Sequence, residues 1–185
     1  MDIKKSKIIV DLKKEEKKLL EKYIDILIEK RNKSIHNAIN DFKNFFKEEF
    51  ELESRPYPIN NDKEYYHHAK YGDSIIKLII IPSKETLVAY QVKMNLIVSL
   101  KGYKRTEYII PINFKFTTPS ISINVSEENN KENIDEKIKN IRNKIEELKV
   151  RISNENNLNF YYGLVESKKQ NEYESLTEIL EEIFE

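Results

Sequence analysis

At 185 residues the chain is long enough for one domain with a buried core, and two full domains would be cramped. Charged residues make up 35% of it and only 3 residues are glycine, so a flexible linker and low-complexity disorder are excluded. Because cysteine is absent, disulfide scaffolds, a cysteine nucleophile and thiolate metal sites are excluded as well.

The charges sum to a net of zero but are unevenly distributed along the chain. Residues 1–54 hold 13 basic and 12 acidic side chains, residues 55–118 hold 10 and 5, and residues 119–185 hold 9 and 15. This asymmetry suits either an acidic helical layer beside a basic sheet or a sheet face that attracts an anionic partner. No apolar run approaches the roughly 20 residues of a membrane span, and the N-terminus shows no signal-peptide core, so we expect a cytoplasmic protein without membrane contact.

Residues 1–54 have the spacing of an amphipathic helix. Their stripe steps by four and three positions through Leu12, Glu16, Leu19, Tyr23 and Ile26 and is apolar except at Glu16. Residues 29–34 interrupt the stripe without glycine or proline. The segment is therefore predicted to be either one helix over about residues 11–53 or a helix pair whose second member is capped by Ser34.

Residues 55–73 are predicted to be a connection, because Pro56 and Pro58 force extended backbone on the residues before them.

A candidate metal site lies within this connection. His67 and His68 are adjacent, with Asp73 nearby, and all three are residue types that bind divalent metals. Adjacent histidines in a strand point in opposite directions, and the chain has no second histidine cluster. We therefore expect exposed loop histidines and no metal site.

Residues 74–125 alternate apolar and polar residues, as antiparallel strands with one wet face do. Four strands are predicted, at residues 75–81, 86–100, 104–116 and 120–125. Lys101-Gly102-Tyr103 is predicted to be a hairpin turn in which glycine supplies a positive φ. Pro111 indicates that the third strand lies at an edge or carries a bulge. The side chains predicted to be buried are Val92, Met94, Leu96, Ile110, Ile112 and Phe114, and those predicted to be exposed are Lys93, Asn95 and Lys115.

Residues 126–152 are predicted to form a long amphipathic helix with a capping Ser126. Its apolar residues step by four and three positions, the narrow pattern of a coiled coil. These apolar residues are Ile134, Ile138, Ile141, Ile145, Leu148 and Ile152. The pattern favours either packing inside the monomer or an intermolecular contact, and two and a half heptads do not distinguish the two.

Residues 153–185 are predicted to hold a short strand at 158–165 and a C-terminal helix that begins at a capping box after Asn171. The whole chain is then a single α+β domain. Its order is an N-terminal helix or helix pair, a four-stranded antiparallel meander with one wet face, the long helix, the short strand and the terminal helix.

An acid before one strand and a lysine on the next strand resemble the arrangement of PD-(D/E)xK nucleases. Asp73, Gln91 and Lys93 carry the resemblance, which implies a Mg²⁺-dependent nuclease in which acids hold the metal and the lysine helps to activate water. Gln91 stands where the family has an acid, and a hairpin strand follows where the family has a helix. Both departures argue against a complete metal site, and the motif is short enough to match by chance.

The wet face of the predicted sheet is basic and forms the other candidate site. Lysines with amides can contact phosphates without reading the base sequence. However, the aromatic side chains of the predicted strands point to the apolar face, whereas sheets that bind single strands normally present aromatic platforms. The candidate nucleic-acid residues are Lys77, Lys93, Lys101, Lys104, Arg105 and Lys115.

No coherent set of catalytic side chains is present, and no cofactor is expected. The leading hypothesis is a non-catalytic protein-interaction or assembly module, with a protein partner or self-association through the helices, and the chain would suit a small accessory protein of a phage or mobile element. The first alternative is a nucleic-acid-associated protein that uses the basic sheet. The second is the divergent Mg²⁺-dependent nuclease.

Overall fold

The computed structural model describes residues 3–54, 65–82, 92–116, 133–165 and 172–184. Helices and one antiparallel sheet make up these residues, which confirms the α+β class. The helices are α1 (Ile3–Phe46), α2 (Ile134–Ser153) and α3 (Leu176–Phe184), with a 3₁₀ turn at Glu155–Asn157. The strands are β1 (Glu51–Ser54), β2 (Tyr65–Tyr71), β3 (Ser74–Pro82), β4 (Val92–Ser99), β5 (Thr106–Phe116) and β6 (Leu158–Tyr162).

α1 is one helix of 44 residues, so the single-helix alternative is the correct one. Ser34 does not cap a second helix. It lies fully buried inside α1, where its hydroxyl donates to the carbonyl of Arg31 at 2.7 Å. The helix ends at Phe46, whose carbonyl accepts from the amides of Glu49 and Phe50, and the chain continues as β1 rather than as helix to residue 53.

The sheet has six strands in chain order. Three of the four strands predicted for residues 74–125 are present as β3, β4 and β5, and β6 confirms the short strand predicted at residues 158–165. β1 lies in the segment predicted to be helical and β2 in the segment predicted to be a connection. The predicted strand at residues 120–125 lies outside the described residues. The predicted hairpin is confirmed: Gly102 has a φ of 84°, and the amide of Tyr103 donates to the carbonyl of Leu100 at 3.1 Å.

Pro111 lies on an interior strand without a bulge, so both readings of this proline were wrong. The register between β4 and β5 is unbroken, with Lys93 opposite Pro111. The carbonyl of Pro111 accepts from the amide of Gly163 at 2.9 Å, on the β6 side. In an antiparallel strand, the amide and the carbonyl of one residue face the same neighbouring strand. The nitrogen of Pro111, which has no hydrogen to donate, therefore faces β6, and no hydrogen bond to β4 is lost.

The inner face of the sheet is the apolar face predicted from the alternation. Val92, Met94 and Leu96 on β4 and Ile110 and Ile112 on β5 are all essentially inaccessible to solvent. Phe114 is only half-buried, whereas Lys93 and Lys115 are exposed and Asn95 is half-buried on the outer face. The five inaccessible residues of β4 and β5 belong to one core with apolar residues of α1 and α3: Ile35, Ala38, Ile39, Phe42, Phe46, Leu176, Ile179 and Leu180.

The chain divides into two compact units. Unit 1 comprises Met1–Leu27 and Phe116–Asn159, and unit 2 comprises Ile28–Lys115 and Phe160–Glu185. The single domain expected from the sequence stays a prediction.

In unit 1, α2 lies along residues 3–27 of α1. Three side-chain contacts join the helices: Lys5 with Asp135 at 2.7 Å, Glu15 with Lys149 at 3.1 Å, and Arg151 with the ring of Tyr23 at 5.8 Å from its centroid. Because both members of these pairs advance together along the chain, the two helices are parallel.

α2 begins at Ile134, where the side chain of Asn133 accepts a hydrogen bond from the amide of Asp135. The predicted cap Ser126 lies outside the described residues.

In unit 2, the C-terminal segment closes the β6 edge of the sheet. Tyr162 and Tyr173 exchange two backbone hydrogen bonds of 2.8 and 2.9 Å as an isolated antiparallel bridge. Asp41 on α1 accepts from the amide of Leu176 at 3.0 Å, which satisfies a free donor at the start of α3. The predicted cap Asn171 lies outside the described residues. In the described part of the chain, no helix is both long and apolar enough to span a membrane.

Candidate interaction surfaces

The six apolar residues predicted to form a coiled-coil-like contact, Ile134, Ile138, Ile141, Ile145, Leu148 and Ile152, lie on α2, and we call them the α2 seam. The middle of the α2 seam is covered inside unit 1. Ile138, Ile141 and Ile145 are buried, and the ion pairs of Lys5 with Asp135 and of Glu15 with Lys149 place α1 beside them. Leu148 and Ile152 are half-buried, whereas Ile134 at the first turn is 41% exposed. The central part of this seam is therefore occupied by the chain itself.

A second apolar stripe on α1 remains exposed. Ile3, Val10 and Ile24 are separated by multiples of seven residues and so lie on one side of the helix, and Leu20 lies one turn before Ile24. Their exposed fractions are 80, 52, 38 and 45% for Ile3, Val10, Ile24 and Leu20. We call these four residues the lateral stripe. It is offset from Leu12, Leu19 and Tyr23, which belong to the side that faces α2.

The surroundings of the lateral stripe are basic. Lys17 occupies the same heptad position as Val10 and Ile24, and Lys13 lies one turn before Lys17. Both lysines are exposed, and Lys17 makes an exposed ion pair of 3.8 Å with Glu21. Such exposed pairs contribute little to stability, so these ammonium groups remain accessible to an anionic partner.

The six predicted nucleic-acid residues divide into two groups. Lys77, Lys93 and Lys115 lie on the outer face of the sheet, whereas Lys101, Lys104 and Arg105 follow β4 in the β4–β5 hairpin. Lys101 pairs with Asp73 at 2.8 Å and Lys115 with Glu172 at 2.9 Å. The hydrogen bond from Lys115 to Glu172 raises the pKa of Lys115. Two of the six cations are thus already paired with carboxylates.

The outer face carries an aromatic stack that the sequence analysis missed. The rings of Tyr66 and His68 on β2 are stacked, with their centroids 4.4 Å apart and 17° between their planes. They point outward because their strand neighbours His67 and Ala69 are buried in the core. Lys77 lies opposite His68 across the ladder, and burial together with the charge of Lys77 lowers the pKa of His68. Residues 65–71 do not place bulky apolar side chains at alternate positions, so no clear signal of this strand is present in the sequence.

An apolar row crosses the same outer face. Ile79 pairs with Tyr66 on one side and with Asn95 on the other, and Asn95 pairs in turn with Ile109. Ile81 and Ile109 are more than one-third exposed. Asn95 interrupts the row and donates to the carboxylate of Glu107 at 2.7 Å. The outer face is therefore a mixed apolar and basic surface rather than a purely basic one.

The residues of the nuclease-like motif do not converge. Asp73 lies in the β2–β3 turn beside Lys101, and Lys93 lies eight positions before Lys101. Eight residues of extended chain span about 26 Å, far more than two groups around one metal ion allow. Gln91 lies outside the described residues. Among the described residues, no group of three His, Cys, Asp or Glu side chains could hold a metal ion.

His67 is a buried core residue of β2, so the expectation of an exposed loop histidine was wrong for this position. Its side chain is 2% exposed, and neither ring nitrogen has a hydrogen-bond partner in the described part of the chain. Burial, followed by the charges of Lys43 and His68, lowers its pKa to about 4. A neutral imidazole in the core is the consequence.

No family model matches this chain, and no curated protein and no solved structure is significantly similar to it.

Proposed function

We propose that the chain is a non-catalytic protein-interaction or assembly module whose contact surface is the lateral stripe of α1. The observation that carries the proposal is that α1 has two apolar sides. Residues 3–27 of α1 turn one apolar side toward α2 and leave a second apolar side exposed. A helix with two apolar sides is typical of bundles of three or more helices, in which each side has a neighbour.

Covering the lateral stripe contributes a modest free energy of association. Full burial of a large aliphatic side chain is worth about 1.5–3 kcal/mol, and these four residues are already partly covered, so roughly 1 kcal/mol remains for each. That total does not offset the cost of association by itself. The partner must therefore lie along the helix and add contacts beyond these four side chains.

The charges beside the lateral stripe indicate the chemistry of the partner. Lys13 and Lys17 flank or interrupt the apolar positions, so a matching helix would place acidic side chains opposite them. A second copy that presented the same stripe would oppose lysine with lysine. The charges therefore favour a different surface, with an apolar stripe and acidic flanks. A cytoplasmic location belongs to the same proposal.

Site-specific photo-crosslinking tests the proposal in cells that produce the chain. A photoreactive residue at Leu20 or Ile24 should give one discrete adduct, and the same residue at Lys18, which faces elsewhere on α1, should give none. The Leu20→Gln/Ile24→Gln variant should lose the partner when copurified under identical conditions, with Lys18→Gln as the matched control. Equal adducts at positions 18, 20 and 24 would contradict a specific stripe.

A second candidate function, nucleic-acid association, is favoured by the Tyr66–His68 stack. The stack supplies the aromatic platform that the sequence analysis did not find, and Lys77 and Lys93 lie on the same outer face. Aromatic rings beside cations are what proteins use to hold single strands without base readout. Salt-dependent retention on polynucleotide, described among the predictions below, tests this candidate.

A further inference from the structure

We propose that a second copy of this chain docks end to end against the sheet of unit 2, with the β4–β5 hairpin of each copy in a cleft of the other. The proposal goes beyond the lateral stripe because it concerns a different surface and names the partner. It depends on a cleft, a hairpin and the spacing between them, all of which lie in unit 2.

The cleft opens between the end of α1 and the β2–β3 turn and has a volume of about 560 Å³. Three carboxylates and one ammonium group line it, so its charge favours a cationic occupant. Two aromatic rings contribute as well: Phe50 and Tyr71 have centroids 5.9 Å apart. Its lining residues are Glu48, Glu49, Phe50, Glu51, Lys70, Tyr71 and Gly72.

The hairpin has the complementary character. Lys104 and Arg105 are exposed, and the ring of Tyr103 is 77% exposed, an unusual fraction for so large a side chain. No ion pair within the described part of the chain involves Lys104, Arg105, Glu48 or Glu49. The positive φ of Gly102 permits the tight turn that projects these side chains beyond the strands.

Cleft and hairpin lie at the same end of the sheet. Lys101 connects the two turns there, through its ion pair with Asp73 at 2.8 Å and through its amide, which donates to the hydroxyl of Ser74 at 3.1 Å. The cleft lies beside β1 and β2, and the hairpin joins β4 to β5. Three strand spacings separate them, which is about 14 Å.

A two-fold axis through this end, near Asp73 and normal to the sheet, brings each hairpin opposite the cleft of the other copy. Two equal contacts then form at once, as in any isologous dimer. In each contact, Lys104 and Arg105 approach the carboxylates of Glu48, Glu49 and Glu51 and the faces of the cleft aromatics. Tyr71, which is 68% exposed, and Tyr103 become covered.

The contact surface of this dimer is small. From β1 to β5 the sheet end spans four strand spacings, about 19 Å, so the contact belongs to the small, transient class of interfaces below about 1,200 Å². Charge pairs at the edge of such an interface are screened by salt. We therefore expect a weak dimer that forms at high protein concentration and dissociates as salt is added.

Sedimentation equilibrium of the full chain, free of nucleic acid, over a range of protein concentrations tests this dimer with charge reversals. Lys104→Glu/Arg105→Glu should weaken association roughly tenfold or more, because like charges then face each other. Glu48→Lys/Glu49→Lys should do the same. An equimolar mixture of the two variants should recover wild-type association, because both contacts are again between opposite charges. The Leu20→Gln/Ile24→Gln variant should dimerise like wild type, which separates this proposal from the helical contact.

Two results would overturn the dimer. One is a wild-type protein that stays monomeric at low salt and the highest attainable concentration. The other is a mixture of reversed variants that associates no better than either variant alone. Circular dichroism verifies that each variant is folded. A variant that is not folded is replaced by Lys104→Gln/Arg105→Gln, which should weaken association less than the charge reversal does.

Discussion

The phenolic hydroxyl of Tyr162 donates to the backbone carbonyl of Ser34 at 2.8 Å, joining residues 128 positions apart in the sequence. Tyr162 is on β6 and is almost fully buried, and Ser34 lies in the part of α1 that belongs to unit 2. Burial raises the pKa of Tyr162, so its hydroxyl stays a donor over the range in which proteins are folded. This bond fixes the final strand against a helix formed at the start of the chain.

Removal of that hydroxyl gives the first prediction. Tyr162→Phe keeps the ring in the core and should lower the free energy of unfolding by about 1 kcal/mol, the usual net value of a buried hydrogen bond. Tyr103→Phe, at the exposed hairpin tip, is the matched control and should leave stability unchanged. Urea unfolding followed by circular dichroism measures both, and equal midpoints would show that the bond contributes nothing.

The second prediction concerns the helix pair of unit 1. Ile141→Ala creates a cavity under α1 and should cost about 2–5 kcal/mol, whereas Val150→Ala, on the exposed side of the same helix, should cost little. Ile141→Glu should destabilise unit 1 more strongly and separate α2 from α1, because the carboxylate would otherwise be buried without a partner. Amide hydrogen exchange within α2 distinguishes these outcomes. Unchanged protection in Ile141→Glu would mean that α1 does not cover the seam.

The third prediction is a pH dependence that arises from His67. Its pKa is about 4 in the folded chain and 6.5 when unfolded, so the unfolded state binds more protons between these values. Stability should therefore be highest above pH 6.5 and fall by up to about 3 kcal/mol as the pH decreases toward 4. His67→Leu should remove most of this decrease and leave the part that comes from the lowered pKa of His68. Lys43→Met should reduce the decrease because Lys43 helps to lower the pKa of His67. Denaturant midpoints measured across this range verify the slope, and a wild-type midpoint independent of pH would contradict it.

The fourth prediction tests the nucleic-acid candidate on the outer face. If the face binds phosphates, the logarithm of affinity for single-stranded polynucleotide should fall linearly with the logarithm of salt concentration. Lys93→Ala should reduce that slope by about 1, and Tyr66→Ala should weaken binding without changing the slope. Lys144→Ala, on the exposed side of α2, is the control. Absence of retention at low salt would remove the candidate.

The strands that could be predicted from the sequence have bulky apolar residues on alternate positions. β4 and β5 show this alternation clearly, and Gly102 marks the turn between them. β2 does not, because the residues that it turns inward include His67 and Ala69, an imidazole and a methyl group. In β1 all four residues are exposed, so no apolar face existed to detect.

The candidate surfaces were harder to predict because they depend on pairing between distant segments. The α2 seam could be recognised from its spacing, but its cover by α1 could not, since the pattern of one helix does not specify its partner. Asp73 and Lys93 looked adjacent because the acid lies at the start of one predicted strand and the lysine lies on the next. The register of β3 against β4 instead places Asp73 beside Lys101.

The parallel pairing of α1 with α2 has a consequence for synthesis of the chain. Lys5 and Asp135 are 130 positions apart, so α2 leaves the ribosome roughly 10 s after the α1 segment that it covers. During that interval both apolar sides of residues 3–27 face solvent. Nascent chains stalled before α2 has left the ribosome should therefore recruit chaperones or aggregate more than the completed chain does.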